Sequence, residues 1–172
     1  GHSMGATIAL AYAVQHQRDL AGLIISGVGL KPGSSISPVL KRVVRLISFL
    51  FPKMGVTVLD ATAISQDKAV VDAYIHDPLV HRGKITARLG AELLKTIDRL
   101  PSQIPMINLP IIIMQGTEDL LCNPEGSPMV YDLVGSRDKT LKLYEGFHHE
   151  IFNEPGHLQV MADLEAWLAT RA

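Results

Sequence analysis

The run Gly1-His2-Ser3-Met4-Gly5 and the segment behind it, Ala6-Thr7-Ile8-Ala9-Leu10-Ala11-Tyr12-Ala13-Val14, decide how this chain is read. Glycine, any residue, serine, any residue, glycine is the pattern of a sharp turn that carries a strand into a helix and holds the serine on the turn. The glycines have a steric reason. A serine in a strained turn leaves little room beside it, so Gly1 and Gly5 are expected where a β-carbon would collide. Residues Ala6 to Val14 are apolar and mostly small, and Gln15-His16-Gln17-Arg18-Asp19 closes them. That predicts a helix buried on nearly all sides and lying close to a sheet. A pattern with three fixed residues recurs by chance in about one chain in twenty of this length. A glycine-rich loop whose serine caps a helix would read the same way. The remainder of the chain has to choose.

Composition narrows the classes. The 172 residues are 47% hydrophobic, enough for one domain with a sizeable core and too apolar for disorder. A net charge of −1 with no Lys/Arg cluster excludes a nucleic-acid footprint. Cys122 is the single cysteine, so no disulfide forms within the chain. No apolar run reaches the length of a membrane span. The chain does not begin with Met, so the sequence is silent on a targeting segment; a cytoplasmic or membrane-peripheral setting is the expectation.

Three short apolar runs predict buried parallel strands: Leu20 to Ser26, Leu109 to Gly116, and Lys139 to Glu145. Helical segments alternate with them, Pro128 to Val134 and an amphipathic Pro155 to Arg171 with Leu158, Met161, Leu164, Trp167 and Leu168 on one face. Strand and helix in alternation predict an α/β parallel sheet. Residues 28–106 are different, with no convincing strand and helices broken by Pro32, Pro38, Pro52, Pro78, Pro101 and Pro105. An insert of that size at a strand end is expected to be a helical cap over a core of residues 1–27 and 107–172. Its helix Pro38 to Phe51 is apolar around most of its circumference, with Lys41, Arg42 and Arg45 on one narrow side. Two readings stand: an ordinary core helix with a solvated stripe, or an interfacial helix that meets lipid.

The chemistry falls at the strand ends. A serine hydroxyl needs a base to take its proton and an acid to orient that base. The second strand runs into Gly116-Thr117-Glu118-Asp119 and the third into Glu145-Gly146-Phe147-His148-His149-Glu150. Serine, then aspartate, then histidine is the chain order of α/β-hydrolases. Asp119 alone could cap a helix, and His148 and His149 could be packed or surface residues. His2, His16, His76, His81 and His157 show no metal-ligand spacing and read as structural, so no metal and no cofactor are expected. Cys122 reads as a small buried hydrophobe bordering the site.

The chain resembles the monoglyceride lipases of the lysophospholipase-like α/β-hydrolases. The resemblance is carried by Gly1 to Ala6, by Tyr74-Ile75-His76-Asp77-Pro78-Leu79, by Gln115 to Cys122, and by Asp138 to His149. It implies the C-terminal portion of the α/β-hydrolase fold with a helical cap, the strands before the elbow lying outside these residues. It implies Ser3 as nucleophile, Asp119 as orienting acid and, by the family's glycine-x-x-histidine spacing, His149 rather than His148 as base. Met4 would supply one backbone oxyanion donor. The second donor would come from a His-Gly loop in the part not included here, so the 172 residues alone are expected to be inactive, with Ser3 on a frayed end. Tyr74 matches a cap tyrosine facing the glycerol head group, and Cys122 a cysteine near the site. Phe152 and His81 depart from a histidine and a cysteine of animal members, which bears on substrate preference. The implied activity is hydrolysis of a small lipid ester, monoacylglycerol first, through an acyl-enzyme, with peripheral membrane contact through the cap. Lysophospholipase, carboxylesterase, acyltransferase and an inactive lipid binder are the alternatives.

Overall fold

The computed structural model of the chain describes residues 1–30 and 38–171. Pro32 and the side chains of Pro38, Leu40 and Lys41 therefore lie outside the described residues. Three parallel strands form the sheet in the order β1, β4, β5: β1 is Leu23–Ser26, β4 is Ile111–Gly116 and β5 is Lys139–Tyr144. The central strand is buried at every position, which is why it is apolar almost throughout. Its side chains alternate between two cores. Ile111 and Ile113 face one, with Leu10, Ile25 and Val130; Ile112 and Met114 face the other, with Val160 and Trp167. Helices α1 (Met4–His16) and α5 (Gly126–Leu133) thus cover one face of the sheet, and α6 (His157–Ala169) covers the other.

Several bounds differ from the sequence expectation, each for a local reason. Pro110 has no N–H for the ladder, so β4 begins after it, and the Pro110 carbonyl instead accepts from Leu23 N–H at 2.8 Å to start β1. On α6 the buried stripe runs through Val160, Leu164 and Trp167, while Leu158, Met161 and Leu168 are exposed, Leu158 by 74%. Helix α1 buries Ala6, Leu10 and Ala13 but leaves Met4, Ile8 and Tyr12 outward, so it is not enclosed on all sides.

Between β1 and β4 lie α2 (Pro38–Leu50), β2 (Gly55–Thr57), α3 (Lys68–His76), β3 (Ile85–Thr86) and α4 (Ala87–Arg99). The sequence shows no strand here, yet β2 and β3 pair as a short antiparallel ribbon. Strands of two and three residues are too brief to display alternation, and their pairing joins positions far apart in the chain. Helix α2 lies against α4 with Val44 and Ile47 turned inward. Its Val39, Val43, Leu46, Phe49 and Leu50 point out, Phe49 by 78%.

Candidate active site

The opening residues run parallel beside β1. His2 bridges Ser26, the Ser26 N–H donates to Gly1 O at 3.0 Å, and the Ser3 N–H donates to Ser26 O at 2.9 Å. The turn is thereby tied to the sheet rather than frayed. Ser3 has φ 54°, the one non-glycine residue at positive φ among the described residues. Such a conformation costs about 1–3 kcal/mol and persists only where surrounding bonds over-determine it. Gly1 is needed, because a β-carbon there would run into the Gly5 carbonyl. Gly5 is not crowded: a β-carbon on it meets nothing within 4 Å, contrary to the steric expectation. The Ser3 side chain makes no capping bond to α1, which removes the capping reading of the motif.

Asp119 and His149 arrive from the ends of β4 and β5. Gly116 lets them meet, since a β-carbon there would strike the carbonyls of Phe147 and His148 where the histidine loop crosses the end of β4. The loop is pinned by Glu118 N–H to Phe147 O at 2.9 Å and by Gly146 N–H to Thr117 Oγ1 at 2.8 Å. His149 Nδ1 then lies 2.7 Å from Asp119 Oδ2, both side chains buried. Gln115 Nε2 donates to the same oxygen at 2.8 Å, while Oδ1 accepts from the N–H groups of Leu121 and Cys122. Burial alone would push the Asp119 carboxyl up. The bonds from His149, Cys122 and Gln115, with the attraction of His149, outweigh it and hold the group below its ordinary range. With Nδ1 engaged, Nε2 is the His149 nitrogen left to exchange a proton. His148 makes no such contact, and its Nδ1 is buried without a hydrogen-bond partner.

Ser3, Met4, Cys122 and Tyr74 line one cavity of about 410 Å³, whose far wall is Leu89, Leu93 and Ile97 of α4. His81 also lines it, whereas Phe152 packs with Ile112 and Met114 away from it. Met4 opens α1, so its N–H has no partner within the helix. Burial, helped by the Asp119 charge, pushes the Cys122 thiol up to about 11 against a hydrogen bond with Ser3; a neutral thiol there is a spectator to nucleophilic chemistry. A second apolar cavity, about 340 Å³, lies between α2 and α4 and shares Ile85, Leu93 and Ile97 with the first.

Gln115, His2 and Glu150 were not singled out by sequence reasoning. Gln115 carried a signal: a polar side chain inside an apolar strand needs partners when buried, and it holds Asp119 on one side and Ser127 on the other. His2, read as structural, lies against His149 with ring centroids 4.5 Å apart. Two sets of potential metal donors lie within 4.8 Å of one another among the described residues, His2–His149–Glu150 and Asp119–Cys122–His149. Both include His149, and the second coincides with the histidine–aspartate bond just described.

The Hydrolase_4 family model, described as serine aminopeptidase S33, matches residues 1–156. The chain belongs to this family. It is 35% identical over 170 residues to a monoacylglycerol lipase of Mycolicibacterium smegmatis, covering 99% of this chain and 61% of that protein. The crystal structure of Paleococcus ferrophilus monoacylglycerol lipase superposes with a TM-score of 0.91 at 26% identity, covering all of this chain and 67% of the other. A soluble variant of monoglyceride lipase from Saccharomyces cerevisiae, in complex with a substrate analogue, gives 0.85 at 29%, with 100% and 61% covered. The chain spans about three fifths of the length of the curated relatives it matches. Its architecture, a parallel sheet flanked by helices, is part of the α/β-hydrolase fold shared with these neighbours. No helix among the described residues is long and apolar enough to cross a membrane.

Proposed function

We propose that the protein is a serine hydrolase of lipid carboxylic esters, with monoacylglycerol as its first substrate. The observation that carries the reading is the strained Ser3 lining an apolar cavity, at the same C-terminal end of the sheet as the buried His149–Asp119 pair. Ser3 Oγ attacks the ester carbonyl as His149 Nε2 takes its proton, and Asp119 holds the ring in the required tautomer. The Met4 N–H stabilises the oxyanion. His149 then protonates the departing glycerol, and water releases the acid from the acyl-serine in a second round.

Residues 28–106 serve as the cap and hold the acyl chain, since a ligand of that kind needs an apolar pocket with few polar groups. Tyr74, on the cavity wall, faces the head group. The outward apolar side chains of α2 make the membrane-peripheral reading of that helix the better supported one.

The test combines two measurements. A fluorophosphonate probe should label the full-length protein and fail to label its Ser3→Ala variant. Hydrolysis should be profiled over acyl length and head group. Preference for a lysophospholipid or a short soluble ester over monoacylglycerol would move the substrate assignment. Labelling that survives Ser3→Ala would sink the nucleophile assignment.

A further inference from the structure

His149 has neighbours on a second side. The loop that carries it continues into Glu150, whose N–H donates to Ile64 O at 2.8 Å, and whose Oε2 accepts from Asn153 at 3.3 Å. Glu150 Oε1 lies 3.1 Å from His2 Nε2, an ion-pair distance without the alignment of a hydrogen bond. The other nitrogen of His2 is 2.8 Å from Ser26 Oγ at the end of β1. The His2 ring sits at 51° to the His149 ring, centroids 4.5 Å apart. Both rings press on Gly27, at φ 55°, where a β-carbon would come within 3.1 Å of the Cε1 atom of each. Donor atoms of His2, His149 and Glu150 all fall within 4.8 Å of one another.

We propose that His2 and Glu150 form a lateral brace on the base: the His2 ring, anchored on Ser26, fixes the plane of the His149 imidazole, and the Glu150 carboxylate places a second negative charge beside the imidazolium formed during turnover. The inference rests on the serine hydrolase reading above and assigns two positioning residues to it. His149 gains charge as Ser3 attacks and loses it as the alcohol leaves. A carboxylate within a few ångströms favours the charged state, and a packed ring restricts the swing of the imidazole away from Ser3. The Glu150 carboxyl itself lies below its ordinary range, chiefly through His2 and against its own burial, so it carries the charge the brace requires at neutral pH.

The test has one arm for each reading. Ser3-dependent ester hydrolysis by the unmodified full-length protein checks the hydrolase reading and is indifferent to the brace. On a soluble short-chain ester, Glu150→Gln should lower kcat about five- to tenfold with KM held within about twofold, and Glu150→Asp should restore most of the loss. His2→Ala should lower kcat about tenfold. It should also broaden the downfield proton NMR resonance of the His149 Nδ1–H bonded to Asp119, because the ring is no longer held. Should His2→Ala fold poorly, His2→Phe keeps a ring in place: a sharp resonance with a lowered kcat supports the brace. Unchanged kcat and an unchanged resonance overturn it, whether or not thermal stability falls. If the full-length protein shows no serine-dependent turnover, the hydrolase reading fails, and the resonance still decides whether His2 fixes the ring.

Discussion

Strand β4 and helix α2 are both rich in large apolar residues, and the structure treats them in opposite ways. Every residue of Ile111–Gly116 is buried, and the loop after the strand carries Asp119, whose carboxylate has four hydrogen bonds. Helix α2 turns Val39, Val43, Leu46, Phe49 and Leu50 outward and buries Ser48. Apolar side chains in the sheet hold the fold. Those described on the outer side of α2 contribute little burial to it, and the proposed function reads them as a lipid-facing surface. On the proposed reading, chemistry sits at the strand ends and contact with a lipid surface on α2. Changes at the strand ends should alter turnover on every ester, whereas changes on α2 should discriminate between substrates.

The largest expected effect breaks the chemical half. In the full-length protein, Ser3→Ala or His149→Ala should lower kcat by about 10⁴-fold or more with the far-UV circular dichroism spectrum unchanged. His148→Ala should do much less. A severe loss in His148→Ala with mild loss in His149→Ala would reverse the base assignment.

Gly27→Ala comes next. The new methyl group faces both imidazoles, and the residue is held at positive φ, so turnover should fall by about 10- to 100-fold with a loss of thermal stability of several degrees. Wild-type kcat in this variant would show that the His149 ring has room to spare.

A smaller effect sharpens the other half. Leu46→Glu with Phe49→Glu should reduce hydrolysis of aggregated long-chain monoacylglycerol by about tenfold and spare a soluble short ester. Equal loss on both substrates would make α2 ordinary core and end the comparison.

The smallest effect concerns acid stability. Asp119 and Glu150 both sit below their ordinary values near 3.8 and 4.5. A carboxyl depressed in the folded state contributes stability that is fully present above its unfolded value and lost as pH falls through the folded one. Thermal melts between pH 6 and pH 3 should therefore show a steeper acid loss for the unmodified protein than for Asp119→Asn or Glu150→Gln. Parallel curves would remove these two groups as the cause.

Local patterns were legible in the sequence. The turn Gly1 to Gly5, the run Ile111-Ile112-Ile113-Met114 and the acid and histidine after successive strands each depend on neighbours in the chain. From them came the parallel sheet and the order serine, aspartate, histidine along the chain. Pairings across long separations were not legible. The ribbon of β2 and β3 and the meeting of His2 and Gly27 with His149 and Glu150 join positions that no period connects. Which stripe of α6 faces inward was also a tertiary outcome, because the helix offers apolar residues on more than one side and the sheet accepted Val160, Leu164 and Trp167. The sequence by itself determined which segments become the three strands of the parallel sheet and the helices beside them, and which residue types stand at the strand ends, since those follow from backbone sterics and hydrophobic period. Only the tertiary structure decided which nitrogen of His149 meets Asp119 and what stands on the other side of its ring, since that depends on how the strand ends and the elbow are brought together at the C-terminal end of the sheet.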